Sequence, residues 1–154
     1  MTPFASCVLA TSDSASATLD EALVDSSVAV AIVLADHQAH AETVDAVRGL
    51  RLGLAGHAWF EAYSVLTRLP PGARRSPGSV RTILDHDFPG TRFPGAEQLA
   101  ALGPELARLG IAGGSVYDAL VGLAARAHDV TLLSRDRRAR STYETLGVDV
   151  RFIE

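Results

Sequence analysis

The segment "DVTLLSRDRRARSTYETLGVDVRFI", which runs from Asp129 to Ile153, decides the fold class. Its first part, DVTLLS, is rich in β-branched and aliphatic residues and predicts a strand. The next part, RDRRARSTYETLG, predicts a helix closed by Gly147, since glycine commonly follows the last residue of a helix. The last part, VDVRFI, predicts another strand. A strand, a helix and a strand in this order are typical of a parallel sheet.

The same alternation continues towards the N-terminus. EALVDSS predicts a first strand ending at Asp25, and LRLGLAG, residues 50–56, predicts a short strand or turn. VAVAIVLAD, residues 28–36, is compatible with strand or helix by its residues alone. We predict helices in the following segments: HAETVDAVRGL (40–50), HAWFEAYSVLTRLP (57–70), SVRTILDHDF (79–88), two short helices in GAEQLAALGPELARLGI (95–111) with Pro104 starting the second, and GGSVYDALVGLAA (113–125). The pattern predicts an α/β fold, with a short parallel β-sheet sandwiched by α-helices.

The composition narrows the range of functions. The 154 residues fit one domain, and 47% hydrophobic with 21% charged residues indicates a globular chain. All 14 basic residues are Arg, so a P-loop, a Schiff base and a lysine general base are excluded. The net charge of −4 does not indicate a general nucleic-acid binder. The single Cys7 excludes an internal disulfide and a cysteine-based metal site, and a cytoplasmic protein is expected.

The N-terminal segment differs in composition from the rest. Residues 1–20 are rich in Ser, Ala and Thr, and we expect an extension before the domain, either disordered or the product of a start codon assigned too early. A signal peptide is not expected, because no basic residue precedes the apolar FASCVLA segment. No segment approaches the length of a membrane span. The domain itself is expected over residues 21–154.

Four acidic residues occupy unusual positions. Asp25 and Asp136 each follow a predicted strand, and the carboxyl ends of parallel strands form the edge at which α/β proteins bind ligands. Each is equally suited to cap the helix that follows it. Glu61 lies within a helix, where a solvent-facing side chain is the usual outcome. Asp118 lies in an apolar helix, and Ser115-Val116-Tyr117-Asp118 also fits a capping box.

Together these acids indicate a metal site. Two end strands at one edge of the sheet, and two lie on helices placed to lean over that edge. Four neighbouring carboxylates repel one another, which raises their pKa values unless cations are present. Because oxygen ligands without cysteine favour hard cations, the expected ion is Mg²⁺ or Mn²⁺, which binds phosphates and activates water.

The ordered segments LVDSSVAVA, HAWFEAYSVLTRLP, GGSVYDALVGLAA and LLSRDRRARSTYETLGVDV resemble the PIN-domain ribonucleases, and most closely the toxins of VapBC-type toxin–antitoxin pairs. The resemblance covers about residues 22–154. It implies a PIN-like domain, in which residues 28–36 form a helix. It also implies a metal-dependent endoribonuclease that cleaves transfer or ribosomal RNA with Mg²⁺, for which Mn²⁺ substitutes.

The resemblance also assigns residues and partners. The catalytic and metal-binding acids are Asp25, Glu61, Asp118 and Asp136, and Ser134 has a supporting role near the metal or phosphate. An antitoxin of the VapB type is expected to bind an apolar groove of helices 40–69, and a homodimer is also expected.

Two further interpretations remain open from the sequence. The nearby arginines are either phosphate ligands for RNA or an ion-paired helix face: Arg135, Arg137, Arg138 and Arg140. The aromatic residues Trp59, Phe60 and Tyr63 are expected in the core. The alternative function is a catalytically inactive PIN-like module that only binds RNA or protein.

Overall fold

The computed structural model describes residues 20–154. The extension expected at residues 1–20 therefore lies outside the described residues, except for Asp20. Strands and helices alternate, and their bounds are β1 (Glu21–Val24), α1 (Ser26–Val33), α2 (His40–Ala46), β2 (Arg51–Leu54), α3 (Ala58–Thr67), α4 (Pro77–Asp87), α5 (Ala96–Leu109), α6 (Ser115–His128), β3 (Leu132–Ser134), a 3₁₀ turn (Arg137–Ala139), α7 (Arg140–Thr145) and β4 (Val150–Phe152).

The four strands form one parallel sheet in the order β2-β1-β3-β4. Successive residues of a strand point to opposite faces of the sheet. Ala22, Leu23 and Val24 are all buried, as are all three residues of β3, so both faces of the central strands are covered. This is the sandwiched α/β arrangement that the alternation of strands and helices predicts.

The register of the central strands places the site. Leu23 pairs with Leu132 and Val24 with Leu133, which brings the residue after each strand to the same edge. The backbone N–H of Asp25 donates to the Leu133 carbonyl at 3.1 Å, which extends this pairing by one residue. The carboxyl ends of β1 and β3 are therefore adjacent.

The helices largely follow the predictions. Residues 26–33 are helical, as the family resemblance implies, although their β-branched residues are also suited to a strand. The prediction of two helices in residues 95–111 is wrong, since α5 is continuous and contains Pro104. The proline leaves the carbonyl of Ala100 without its helical partner, but Ala100 is exposed, so that carbonyl is open to solvent.

Several helices form two packing groups. Helix α3 packs on α1 and α4, while α6 packs on α5 and α7. Among the described residues, no helix combines the length and the apolar character required to cross a membrane.

Candidate active site

A cavity of about 530 Å³ opens at the carboxyl edge of the sheet, and all four predicted acids line it: Asp25, Glu61, Asp118 and Asp136. They come from four elements, namely the ends of β1 and β3 and the helices α3 and α6. The structure thus brings together side chains that are as many as 111 positions apart in the chain, between Asp25 and Asp136.

Asp25 lies deepest, with 5% of its surface exposed. One carboxylate oxygen accepts from the Ser27 hydroxyl at 2.5 Å and from the Val28 N–H at 3.1 Å, and the other accepts from the Ser134 hydroxyl at 2.5 Å. Burial raises the pKa of Asp25, and these hydrogen bonds oppose that rise. The residue caps α1 and also lines the cavity, so capping the helix does not exclude a role in the site.

Ser134 connects two of the acids, although it does not itself line the cavity. It is fully buried and donates to Asp25, while its oxygen accepts from the Asp136 N–H at 3.0 Å. The hydroxyl therefore fixes the end of β3 against the end of β1. The supporting role near the metal or phosphate that the family resemblance implies for Ser134 stays a prediction.

Asp118 lies in the first turn of α6 and does not take part in the capping box. The N-cap residue is Gly114, and no side chain caps this helix end. Burial, followed by the charges of Asp136, Glu61 and Asp25, raises the pKa of Asp118 to about 6. This turn of the apolar helix is not buried on all sides, since Tyr117 is 54% exposed.

Glu61 does not face open solvent. Its side chain is 32% exposed and accepts a hydrogen bond from the Ser26 hydroxyl at 2.8 Å, and His57 Nε2 lies 3.8 Å from the other carboxylate oxygen. The His57 ring in turn stacks on Tyr117, with ring centroids 5.4 Å apart. These contacts join the start of α3 to the start of α6 across the cavity.

Asp136 is bound by a basic residue of its own chain. Arg138 forms two hydrogen bonds to its carboxylate, each of 3.0 Å, and lowers its pKa. Asp136 also accepts from the Arg138 N–H and caps the 3₁₀ turn. Arg138, a cation near the start of this helix, therefore has an acidic partner two residues away, Asp136.

The other arginines suggested for RNA also have partners within the chain. Arg135 donates to the Thr43 hydroxyl and the Glu154 carbonyl, Arg137 pairs with Glu154, and Arg140 lies 3.6 Å from Glu144 and over the Phe152 ring. Three of the four thus pair with acidic side chains, as the ion-paired interpretation expects. Their contact with RNA stays a prediction.

Some residues that line the cavity were not predicted from the sequence. Tyr143, Arg68 and His57 line it, and Phe60, expected in the core, is 53% exposed at its rim. Trp59 and Tyr63 do pack against the core. A helical repeat could have placed His57 beside Glu61, but no signal in the sequence directs α7 and its Tyr143 towards the acids.

The donor set fits a hard divalent cation by its chemistry. Four carboxylates share the cavity, two of them with raised pKa values, and Arg138 is the basic side chain bound to one of them. In residues 20–154, no three His, Cys, Asp or Glu side chains are placed so that they could hold a metal ion by themselves. Mg²⁺ usually keeps several waters and binds proteins through one or two carboxylates, so a cation bound here would need water ligands as well.

Comparison with known proteins identifies the class to which this fold and site belong. The model of the PIN domain matches residues 22–144. The chain therefore belongs to the PIN-domain family, and two relatives named as VapC ribonucleases place it among the VapC-type members of that family.

Two relatives from Mycobacterium tuberculosis support this assignment. The protein named Ribonuclease VapC27 is 42% identical over 127 residues, which cover 82% of this chain and 93% of that protein. The protein named Ribonuclease VapC40 is 41% identical over 132 residues, which cover 84% of this chain and 96% of that protein. The similarity thus spans nearly the whole of both relatives and not a shared fragment.

Proposed function

We propose that this chain is the endoribonuclease toxin of a toxin–antitoxin pair and that it hydrolyses RNA phosphodiesters with a divalent cation. The observation that carries the proposal is the single cavity into which Asp25, Glu61, Asp118 and Asp136 all project. The proposal is also supported by the membership of the chain in the VapC-type ribonucleases.

The proposed mechanism assigns separate roles to the acids. Asp25, Asp118 and Asp136 hold Mg²⁺ or Mn²⁺ directly or through water, and Glu61 holds the cation or orients the attacking water. When bound, the cation lowers the pKa of water and offsets charge on the phosphate. Ser134 keeps Asp25 in place, because its buried hydroxyl hydrogen-bonds the carboxylate. Water attacks phosphorus and the 3′ oxygen leaves, so the products carry a 5′-phosphate and a 3′-hydroxyl.

The antitoxin and the RNA are further parts of the proposal. A second cavity, lined in part by Val30, His37 and Arg135, shares Ser26, Ser27 and Val65 with the acidic cavity. A peptide bound along α1 and α3 there would cover the acids. Transfer or ribosomal RNA is the expected substrate. Of the four arginines suggested from the sequence, Arg138 is best placed for its phosphates, since it lies beside Asp136, and Arg68 lines the acidic cavity itself.

The homodimer also belongs to the proposal. Exposed apolar side chains cluster beside the acidic cavity, around a smaller apolar cavity whose lining includes Phe60, Phe93 and Leu99. Phe60 and Phe93 pack edge to face, with centroids 6.0 Å apart. Soluble proteins rarely expose an apolar cluster of this kind unless a partner covers it. The family resemblance implies that this partner is a second copy of the chain.

The experiment uses purified protein and total cellular RNA, with Mg²⁺, with Mn²⁺ or with chelator, followed by sequencing of new 5′-phosphate ends. Discrete metal-dependent ends are expected, and Asp118→Asn should abolish them. The matched control is Asp85→Asn, which removes an exposed acid of α4 outside the cavity and should cleave as the natural protein does. Cyclic 2′,3′-phosphate ends would refute the mechanism, and no cleavage with no Mn²⁺ binding would favour the inactive binding module.

A further inference from the structure

Tyr143 occupies an unusual position for a buried tyrosine. It lies on α7, with 1% of its surface exposed, and its ring packs against Gly122 of α6. An added Cβ at Gly122 would lie 3.1 Å from the tyrosine ring, so the ring leaves no space for a larger residue there. The ring is thus held between α6 and the core, and its orientation is fixed.

Tyr143 also lines the acidic cavity, and the charges of all four acids act on its ionisation, with Asp25 the strongest among them. Burial, followed by these charges, raises the pKa of Tyr143, so the hydroxyl remains a neutral hydrogen-bond donor.

Buried tyrosine hydroxyls usually have a hydrogen-bond partner. Among the buried side-chain hydroxyls of residues 20–154, those of Ser134 and Thr43 form hydrogen bonds, whereas those of Tyr143 and Thr142 form none. No fully enclosed side-chain oxygen among the described residues lacks a partner, so the Tyr143 oxygen is not fully enclosed, and the cavity that Tyr143 lines is the space it can reach. The hydroxyl is therefore available to donate to an oxygen that enters the cavity.

We infer that Tyr143 is a positioning residue that donates a hydrogen bond to a water molecule bound to the divalent cation held by the four acids. This inference rests on the proposed function. Of the four acids, Asp25 acts most strongly on the Tyr143 hydroxyl, and Asp25 is also the most deeply buried of them. A hydrogen bond from the neutral hydroxyl would fix the position of a water bound to the cation without adding charge.

The test measures Mn²⁺ binding to the purified full chain by titration calorimetry, without RNA. Tyr143→Phe keeps the ring that packs on Gly122 and removes only the hydroxyl, so the variant should fold, which circular dichroism checks. Its dissociation constant for Mn²⁺ is expected to rise about fivefold, which corresponds to about 1 kcal/mol for one neutral hydrogen bond. The matched control is Tyr63→Phe on α3, whose ring stacks on Trp59 outside the cavity, and it should bind Mn²⁺ unchanged.

The outcomes separate this inference from the proposed function. If the natural protein binds Mn²⁺, Asp118→Asn does not, and Tyr143→Phe binds as tightly as the natural protein, Tyr143 only packs in the core and the inference is overturned while the metal site stands. If the natural protein binds no Mn²⁺, the proposed metal site and the inference are both wrong. Weaker binding by Tyr143→Phe, with Tyr63→Phe unchanged, supports both.

Discussion

Replacing Ser134 by alanine should destabilise the fold in a pH-dependent way. The Ser134 hydroxyl is fully buried, donates to the Asp25 carboxylate at 2.5 Å and accepts from the Asp136 N–H at 3.0 Å. A hydrogen bond to a charged group contributes about 1.5–3 kcal/mol, and an N–H left without its partner costs about 1 kcal/mol. Asp25 keeps the bonds from Ser27 and Val28. We therefore expect the free energy of unfolding to fall by about 3 kcal/mol at pH 8.

The sign of the pH dependence follows from Asp25. Its pKa is raised in the folded protein, so the ionised carboxylate costs stability, and that cost disappears as the pH falls through the raised pKa. The Ser134 hydrogen bond lowers this pKa, hence the alanine variant takes up its proton at a higher pH. The loss of stability should be largest at pH 8 and should shrink towards pH 4, near the ordinary pKa of an aspartate.

Urea unfolding with chelator present, followed by circular dichroism from pH 8 to pH 4, measures this difference. Ser141→Ala is the matched control, since Ser141 is an exposed serine of α7, and its effect should stay within about 0.5 kcal/mol. Equal stability of the two variants, or a loss for Ser134→Ala that is independent of pH, would refute the argument.

Two further predictions concern Mn²⁺ binding, measured by titration calorimetry. Because a proton and the cation compete for Asp118, whose pKa is about 6, and for Asp25, whose pKa is also raised by burial, Mn²⁺ affinity should fall by at least about tenfold per pH unit below pH 6; equal affinity at pH 7 and pH 5 would contradict this. Arg138→Ala removes the arginine that binds the Asp136 carboxylate and should tighten Mn²⁺ binding by up to about fivefold. The control Arg81→Ala, which removes an exposed arginine of α4, should leave Mn²⁺ binding unchanged. If Arg138 contacts phosphate, the Arg138→Ala variant should also bind RNA more weakly.

The sequence supports much of the fold because its signals are local. The strand Leu132–Ser134 follows from the β-branched and aliphatic residues of DVTLLS, and Gly147, with φ of 69°, ends the helix after it as predicted. Asp25, directly after the end of β1, marks the edge of the sheet. These features depend on nearest neighbours in the chain, so one sequence is sufficient to predict them.

The errors arise where tertiary contacts override local preference. Pro104 favours a helix start, yet the exposed face of α5 lets the helix continue through it. Phe60 is apolar and was expected in the core, but its side of α3 faces the rim of the cavity. The position of Tyr143 depends on how α7 packs against α6, which no local pattern encodes.

The division of the four acids between strands and helices affects how the protein loses activity in denaturant. Asp25 and Asp136 are attached to the two central strands, whereas Glu61 and Asp118 are carried by helices that belong to different packing groups. Amides of the central strands should exchange with solvent only on global unfolding, while the exposed first turn of α6 can open by itself. Mild denaturant would then separate the acids and stop cleavage while the sheet is still intact, so enzymatic inactivation should precede the loss of secondary structure.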